Sequence, residues 1–493
     1  MKVRISVPNW IFYTVIFAFF VVFFARIHPI APYDGDDWYN IIIERTSYPS
    51  LDFWNPTKVF PERLEPFVAT LAGYLVVPLV GDYINGLIWA NAFVVAVFII
   101  VYLLSVQRCI ETRFNLGRIA VQGLMIVFIL LHFLLLRTSR ECNEHLWYSN
   151  DANCYYHYVI PNMLCASLVL WLMRHDVRKE RSGRSLAVLI PLTYLALCSN
   201  LYSVVILIAY IGALLLLDLR TSSFSSNKSI GTQDGWLISY IRRNAHFLFI
   251  IALWGIVQWI ESHGIRANSY GYMKEPLIYC LKVTIYNFLT IGYNKWFLFI
   301  ALLAIVGAKL IDYKRKRHGL WHVGLQQWTI LIASFLSIIY LILLSSRVDP
   351  TYVQRGDVIF EFAFFLLFLV ILSLAFLCSH LRFAAYFTPL LILFLLFQTN
   401  TSGRTYKDVS EKYAPDLTGS IRIDRDIVRQ ILDAEAAGMD SVTIQVPKYP
   451  YGENWPIMTP RYASQYYGRA LYKHNQAKRE IITIFIPTYE IEE

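Results

Sequence analysis

Apolar runs about as long as a bilayer is thick recur along this chain from its first residues to residue 400. A hydrocarbon core takes about 20 apolar residues per helix. Runs near that length fall at roughly 9–27, 83–106, 119–137, 158–174, 185–199, 201–218, 246–263, 295–312, 328–346, 358–380 and 384–400. Lipid offers the backbone no hydrogen-bond partner, so segments of this length and composition are expected as helices. The expected fold class is mainly α, a polytopic membrane protein of about eleven transmembrane helices. The composition fits: 56% of the residues are apolar and 16% charged, too little charge to cover a soluble body of 493 residues. Two places leave the count open. Segment 66–81 carries Pro66, Pro78 and two glycines, and reads as a broken, re-entrant or interfacial helix. The runs 185–199 and 201–218 have only Ser199-Asn200-Leu201 to turn in, and could be one long segment.

Lys and Arg placement sets the orientation. With Lys2 and Arg4 inside, the inside loops hold Arg108, Arg113 and Arg118, then the cluster from Arg174 to Arg184. Arg220 to Arg243 and Lys309 to Arg317 follow on the same side. The net charge of +9 is explained by this bias, and no nucleic-acid partner is needed. An odd number of spans divides the chain into a transmembrane domain, 1–400, and an outside domain, 401–493. The first run lacks a small-residue cleavage site and is expected to stay as a signal-anchor. The inside loops hold no Gly-rich phosphate loop, Walker motif or metal-spaced His/Cys set, which argues against coupling to nucleotide hydrolysis.

The first outside loop, 28–65, opens with APYDGDDW, Ala31 to Trp38. Asp34, Asp36 and Asp37 stand within four residues of each other where the chain meets water. Carboxylates this close cannot all ionise freely unless a cation or hydrogen bonds attend them. One is therefore a candidate general base, or Asp36 and Asp37 together are ligands for a divalent ion. Asp-Gly-Asp also serves as a solvated turn, and it suits the N-cap of a helix starting near Trp38.

Arg63, Arg137, Arg140, Arg266, Arg347 and Arg355 fall outside, against the positive-inside trend. Arg takes phosphate oxygens bidentately, so a lipid-linked phosphate at the bilayer surface would explain them. Salt bridges to neighbours, Arg347 with Asp349 or Arg63 with Glu62 or Glu65, would explain them as well. The loop 138–157 is dense with Arg140, His145 and Trp147, and the loop 345–357 adds Arg347, Tyr352 and Arg355. Outside aromatics such as Trp38, Trp54 and Trp455 can stack on sugar faces or simply belong to the interfacial belt. Cys142 and Cys154 share one outside loop and can pair there or remain thiols.

From about Thr401 the pattern becomes that of a small soluble unit. Ile421 to Ala437 repeats apolar residues at helical spacing and stops at Gly438. SVTIQV, Ser441 to Val446, alternates as a strand. Pro460 to Lys473 reads as a helix, and Ile481 to Ile486 as a second strand. This order predicts a small α/β domain on the extracytoplasmic side.

A retained first span, a first outside loop opening on paired aspartates, about eleven spans and an outside α/β domain together resemble the GT-C superfamily of integral-membrane glycosyltransferases. In size and layout the chain is similar to bacterial, often phage-borne, serotype-converting glucosyltransferases that modify the O-antigen of lipopolysaccharide. The resemblance implies a multi-pass protein of the bacterial inner membrane, its N-terminus cytoplasmic and its C-terminal domain periplasmic. It implies inverting transfer of a sugar, a hexose, from a polyprenyl-phosphate donor to a glycan acceptor of the cell envelope. Asp36 and Asp37 match the family's acidic motif, with Asp34 as a third acid. Arg347, Tyr352 and Arg355 match its late phosphate-contacting loop, with Arg63, Arg140 and His145 as further substrate-binding candidates. A divalent cation, Mg or Mn, is allowed but not required, since Arg can neutralise a monophosphate. A donor synthase and a flippase would act upstream. No WWD-type motif of oligosaccharyltransferases is present. Rival readings are a flippase or exporter, or a ligase or polymerase, of lipid-linked glycans. A flippase would need charge deep in the spans, and the spans read as nearly free of it.

Overall fold

The computed structural model describes residues 8–33, 35–42, 59–137, 144–149, 151–175, 183–226, 233–262, 272, 274–316, 324–381, 384–399, 417–447 and 460–489. It is about 80% helical. Helix α1 (Asn9–Val22) ends in a π-helical turn, Phe23–Ile27, and a short α2 (Gly35–Asn40) follows. Next come α3 (Val59–Leu71), a π turn at Ala72–Val76, α4 (Val77–Val80), α5 (Tyr83–Glu111), α6 (Arg118–Leu134) and α7 (Ala152–Cys154). A π turn, Tyr155–Val159, leads into α8 (Ile160–Arg174). The bundle continues with α9 (Gly183–Leu197), α10 (Val205–Ser226), α11 (Gln233–Ser262), α12 (Leu277–Leu289), α13 (Lys295–Lys316), α14 (Leu325–Val348), α15 (Gly356–His380) and α16 (Ala384–Thr399). The chain closes with α17 (Leu417–Ala436), β1 (Ser441–Pro447), α18 (Pro460–Lys473) and β2 (Ile482–Tyr489).

Among the described residues, eight helices are long and apolar enough to cross a membrane, and Arg118–Leu134, Leu277–Leu289 and Tyr386–Thr399 are shorter apolar helices. The chain is therefore a mainly α protein of the membrane-spanning kind. Segment 66–81 differs from the sequence reading. All of it but Gly81 lies in one of the eight, Arg63–Val80, a helical run that stays continuous through Pro66 and a π turn. Pro66 removes one ladder donor, and Thr70 Oγ1 donates to the Pro66 carbonyl at 2.8 Å. The ambiguous stretch 185–218 is two helices, α9 and α10. Asn200 Oδ1 accepts the Tyr202 N–H at 2.8 Å in the turn between them.

Lipid tails are as apolar as leucine, so helices in a bilayer associate by close packing rather than by hydrophobic drive. α5 is buried against α1, α3 and α8, with Ala92, Ala96 and Tyr102 fully enclosed. α15 packs on α6, α13 and α14 through a ladder of stacked rings, Phe360, Phe364 and Phe368. α11 and α13 form an outer wall. Only 17% and 22% of their spans are buried, leaving broad apolar faces that suit lipid.

The C-terminal strands pair in parallel, from Ser441 opposite Ile482 to Val446 opposite Pro487. Ile427, Ile431, Ile444 and Leu471 fill the space between them and their helices. Gly438 ends α17 in the left-handed region, with φ 80°. This segment lies on the first loop. The Trp38 ring stacks on Tyr467 at 3.7 Å, and Tyr39 meets Tyr466 edge-on at 5.3 Å. Tyr83 Oη and His474 Nδ1 are 2.6 Å apart, Lys473 Nζ donates to the Ile42 carbonyl at 2.8 Å, and Arg425 reaches Asn85 Oδ1 at 2.7 Å. Only glycine fits at position 73, where a Cβ would stand 2.3 Å from the His474 carbonyl oxygen. The first loop and the C-terminal segment thus occupy one face of the bundle.

Candidate functional site

The acidic loop and the late basic loop meet across the three-residue helix α7. Asp151 caps that helix, its Oδ1 accepting the Cys154 N–H at 2.5 Å. Burial pushes the Asp151 carboxyl up from its ordinary range, against the pull of that N–H and of Arg355. From one side comes Asp37, fully buried at the start of α2. Its Oδ2 accepts the Tyr33 N–H at 2.5 Å and its Oδ1 accepts the Asn153 N–H at 2.6 Å. From the other side comes Arg355, whose Nη2 donates to Cys154 Sγ at 3.2 Å.

Arg355 pairs bidentately with Asp357, Nε to Oδ1 at 3.1 Å and Nη2 to Oδ2 at 2.7 Å. Its guanidinium lies over Tyr158 and Tyr352, 4.7 and 5.0 Å from the ring centroids. About a third of its side chain stays accessible, while Asp357 is buried. The loop is fixed from below by Glu144, whose Oε1 accepts the Gly356 N–H at 3.0 Å. A Cβ on Gly356 would come within 2.9 Å of the His145 carbonyl oxygen, so glycine lets the two segments touch. Asn162 of α8 donates Nδ2 to the Asp357 carbonyl at 2.6 Å.

The remaining sequence-predicted residues divide clearly. Asp36 is exposed beside Asp37. Arg63 is half-buried on α3. Arg347 donates Nη1 to the Glu275 carbonyl at 3.2 Å and joins the rim rather than the Arg355 cluster. His145 is fully buried in an aromatic box with Phe23, Phe24, His28 and Phe133. Burial holds its imidazole well below the usual histidine range and pulls His28 down to about 3, so both are neutral. Asp34, Arg140 and Cys142 lie outside the described residues. Cys154 carries a free thiol.

A divalent ion does not fit the acidic pair as placed. Both Asp37 oxygens already accept backbone N–H groups, which leaves Asp36 as the one exposed carboxylate of the run among the described residues. Among the described residues no group of three or more His, Cys, Asp or Glu is arranged to hold a metal ion.

Sequence reasoning passed over Glu144 and Asn162, which with Asp151 bind the two loops to each other. It also passed over Glu361. That residue lies in α15, 1% exposed, so a span read as nearly free of charge holds one buried carboxyl. The signal was present, a single acid inside the apolar run VIFEFAFF. No family model, no curated protein and no solved structure matches this chain.

Proposed function

We propose that this chain is a GT-C-type glycosyltransferase of the bacterial inner membrane. It moves a sugar, a hexose, from a polyprenyl-phosphate donor to a glycan acceptor of the cell envelope, on the extracytoplasmic face. In this reading the transmembrane part has about eleven spans: seven of the eight long helices, Arg118–Leu134, Tyr386–Thr399, α9 and α10, with Arg63–Val80 and Leu277–Leu289 re-entrant or interfacial. The segment from 417 onward forms an α/β cap on the outer side. The observation that carries the proposal is the meeting of Asp37 and Arg355 on one turn, Asp151–Cys154, at the end of a span.

The residues take these roles. Arg355, oriented by Asp357 and the two tyrosine faces, binds the donor phosphate through the guanidinium edge that Asp357 leaves open, and Arg347 approaches from the rim. Asp37 is a positioning residue, because both its oxygens are engaged by backbone. Asp36, exposed next to it, is the general base. It takes the proton of an acceptor hydroxyl while that oxygen bonds to the anomeric carbon. The bond from that carbon to the phosphate oxygen breaks, and polyprenyl phosphate leaves with the electron pair. The anomeric configuration inverts. Trp38, stacked on Tyr467, links this loop to the cap, and in this reading the cap covers the acceptor.

The test is transfer of labelled sugar from a polyprenyl-phosphate donor by the protein in nanodiscs, with Asp36→Asn and Arg355→Ala. Full activity in Asp36→Asn removes the base assignment. A second reading, export of a lipid-linked glycan, is favoured by Glu361, a carboxyl inside a span. Glycan crossing a vesicle membrane without any new glycosidic bond would support it over transfer.

A further inference from the structure

Glu361 lies four residues past Asp357 on α15, one helical turn deeper into the bundle. Neither of its carboxylate oxygens has a hydrogen-bond partner. The charged groups that face it are Asp357 and, through it, Arg355. The other elements packed here contribute uncharged groups: Cys165 from α8, Tyr202 from the turn before α10, and Tyr340 from α14. Asn162 reaches the same turn of α15. Its Nδ2 donates to the Asp357 carbonyl, the same carbonyl that takes the Glu361 N–H in the helical ladder. The Asn162 amide therefore stands at the foot of Glu361, and its Oδ1 is buried and unpartnered.

Two buried carboxyl oxygens without a hydrogen-bond partner are costly unless something positive or donating is bound there. Arg355 and Asp357 cancel each other, so an ionised Glu361 carboxylate would add a negative charge that this pair does not balance. Oxygen donors alone select a hard cation. One carboxylate matches a single positive charge and falls short of what a divalent ion requires. We infer that Glu361 and Asn162 form a seat for a monovalent alkali cation of the sodium class inside the bundle, one turn below the Arg355–Asp357 pair. The inference stands whether the chain transfers sugar or exports it.

The test uses the full chain in nanodiscs at fixed ionic strength, with NaCl or KCl replacing N-methyl-D-glucamine chloride. The wild type should show a saturable rise in Tm of about 2 °C or more with an alkali cation. Glu361→Gln, nearly isosteric, should show none. Asn162→Ala should need about tenfold more cation for the same rise. Equilibrium binding of radioactive sodium to the wild type should saturate near one ion per chain, and this decides the matter even if Glu361→Gln fails to fold. Identical Tm curves in all three salts with no sodium bound would overturn the inference and leave a proton as the occupant of Glu361.

Discussion

Asp37 and Asn153, 116 positions apart in the chain, are joined by a 2.6 Å hydrogen bond from the Asn153 backbone N–H to Asp37 Oδ1. The bond fastens the first loop to the turn that, one residue on, meets Arg355 through Cys154. A charged residue that looks catalytic in the sequence is thus an internal strut, and its neighbour Asp36 is the one left facing solvent. A buried carboxylate accepting two backbone N–H groups is well suited to hold a loop rigid against a bilayer edge, where water cannot substitute for a missing partner.

The two aspartates should therefore separate by assay. Asp37→Ala leaves the Tyr33 and Asn153 N–H groups buried without acceptors, at about 1–3 kcal/mol each. It should lower the melting temperature and activity together. Asp36→Asn should melt like the wild type yet lose transfer by about 10²–10⁴-fold in kcat. Thermal unfolding and sugar transfer on the same preparations check this. Unaltered melting in Asp37→Ala would show that the strut carries no load.

Arg355 and Asp357 give a second separation. Arg355→Ala strands Asp357, which is buried, and should destabilise the chain by about 2 kcal/mol or more, a figure reduced for the partial exposure of the arginine. The double variant Arg355→Met with Asp357→Leu removes both charges and should recover most of that loss. It should still be inactive if the arginine binds the donor phosphate. A double variant that regains activity along with stability would confine the pair to a structural role.

Gly356 allows the late loop to lie against His145. A methyl group there meets the His145 carbonyl at 2.9 Å, Leu136 Cδ1 at 3.1 Å and Glu144 Oε1 at 3.2 Å, so backbone must give. Gly356→Ala should cost about 1–3 kcal/mol, as overpacking does, and shift Arg355 off Cys154. The readout is alkylation of Cys154, whose rate should fall when the guanidinium that favours its thiolate withdraws. An unchanged rate together with unchanged melting would count against the close approach.

The membrane-spanning pattern was legible because lipid demands long apolar helices, and a composition signal of that kind survives every packing detail. The order of helices and strands after residue 417 was legible for a similar reason, since Gly438 and the alternation in SVTIQV are local signals. The role of Asp37 was not, because its partners are backbone N–H groups, which every residue has and no sequence advertises. Arg355 was singled out in the sequence as a basic residue of the late loop, but its pairing with Asp357 two residues on, rather than with a distant acid, depends on how the α15 N-terminus is turned. Trp38 read as a belt or sugar-stacking residue. Its place under Tyr467 depends on a docking between segments more than 400 residues apart, beyond the reach of periodicity. Continuity through Pro66 was missed because a helix can pass a proline that removes one N–H donor while the rest of its ladder holds.

The docked cap carries its own pH dependence. Asp424 is buried beside the Trp38 indole, with Tyr467 Oη donating to its Oδ1 at 2.7 Å, and burial raises its carboxyl to about 8. Released from the interface, it would give up its proton near 3.8. Between these values the docked form holds a proton that the undocked form has lost, so docking weakens as pH rises, by at most about 1.4 kcal/mol per unit. His474 acts in the opposite sense. Burial lowers it to about 4 from 6.5, so an undocked His474 gains a proton that the docked one cannot, and docking weakens as pH falls through that interval. The two slopes oppose each other between about 4 and 6.5, and above 6.5 only the Asp424 slope remains. Amide protection factors over Pro460–Lys473 should therefore be level from about pH 4 to 6.5 and fall toward pH 8. In Asp424→Asn, which keeps an acceptor for Tyr467 without an ionisable group, the fall above 6.5 should vanish. Protection that falls equally in the wild type and in Asp424→Asn would place the pH response elsewhere than at this interface.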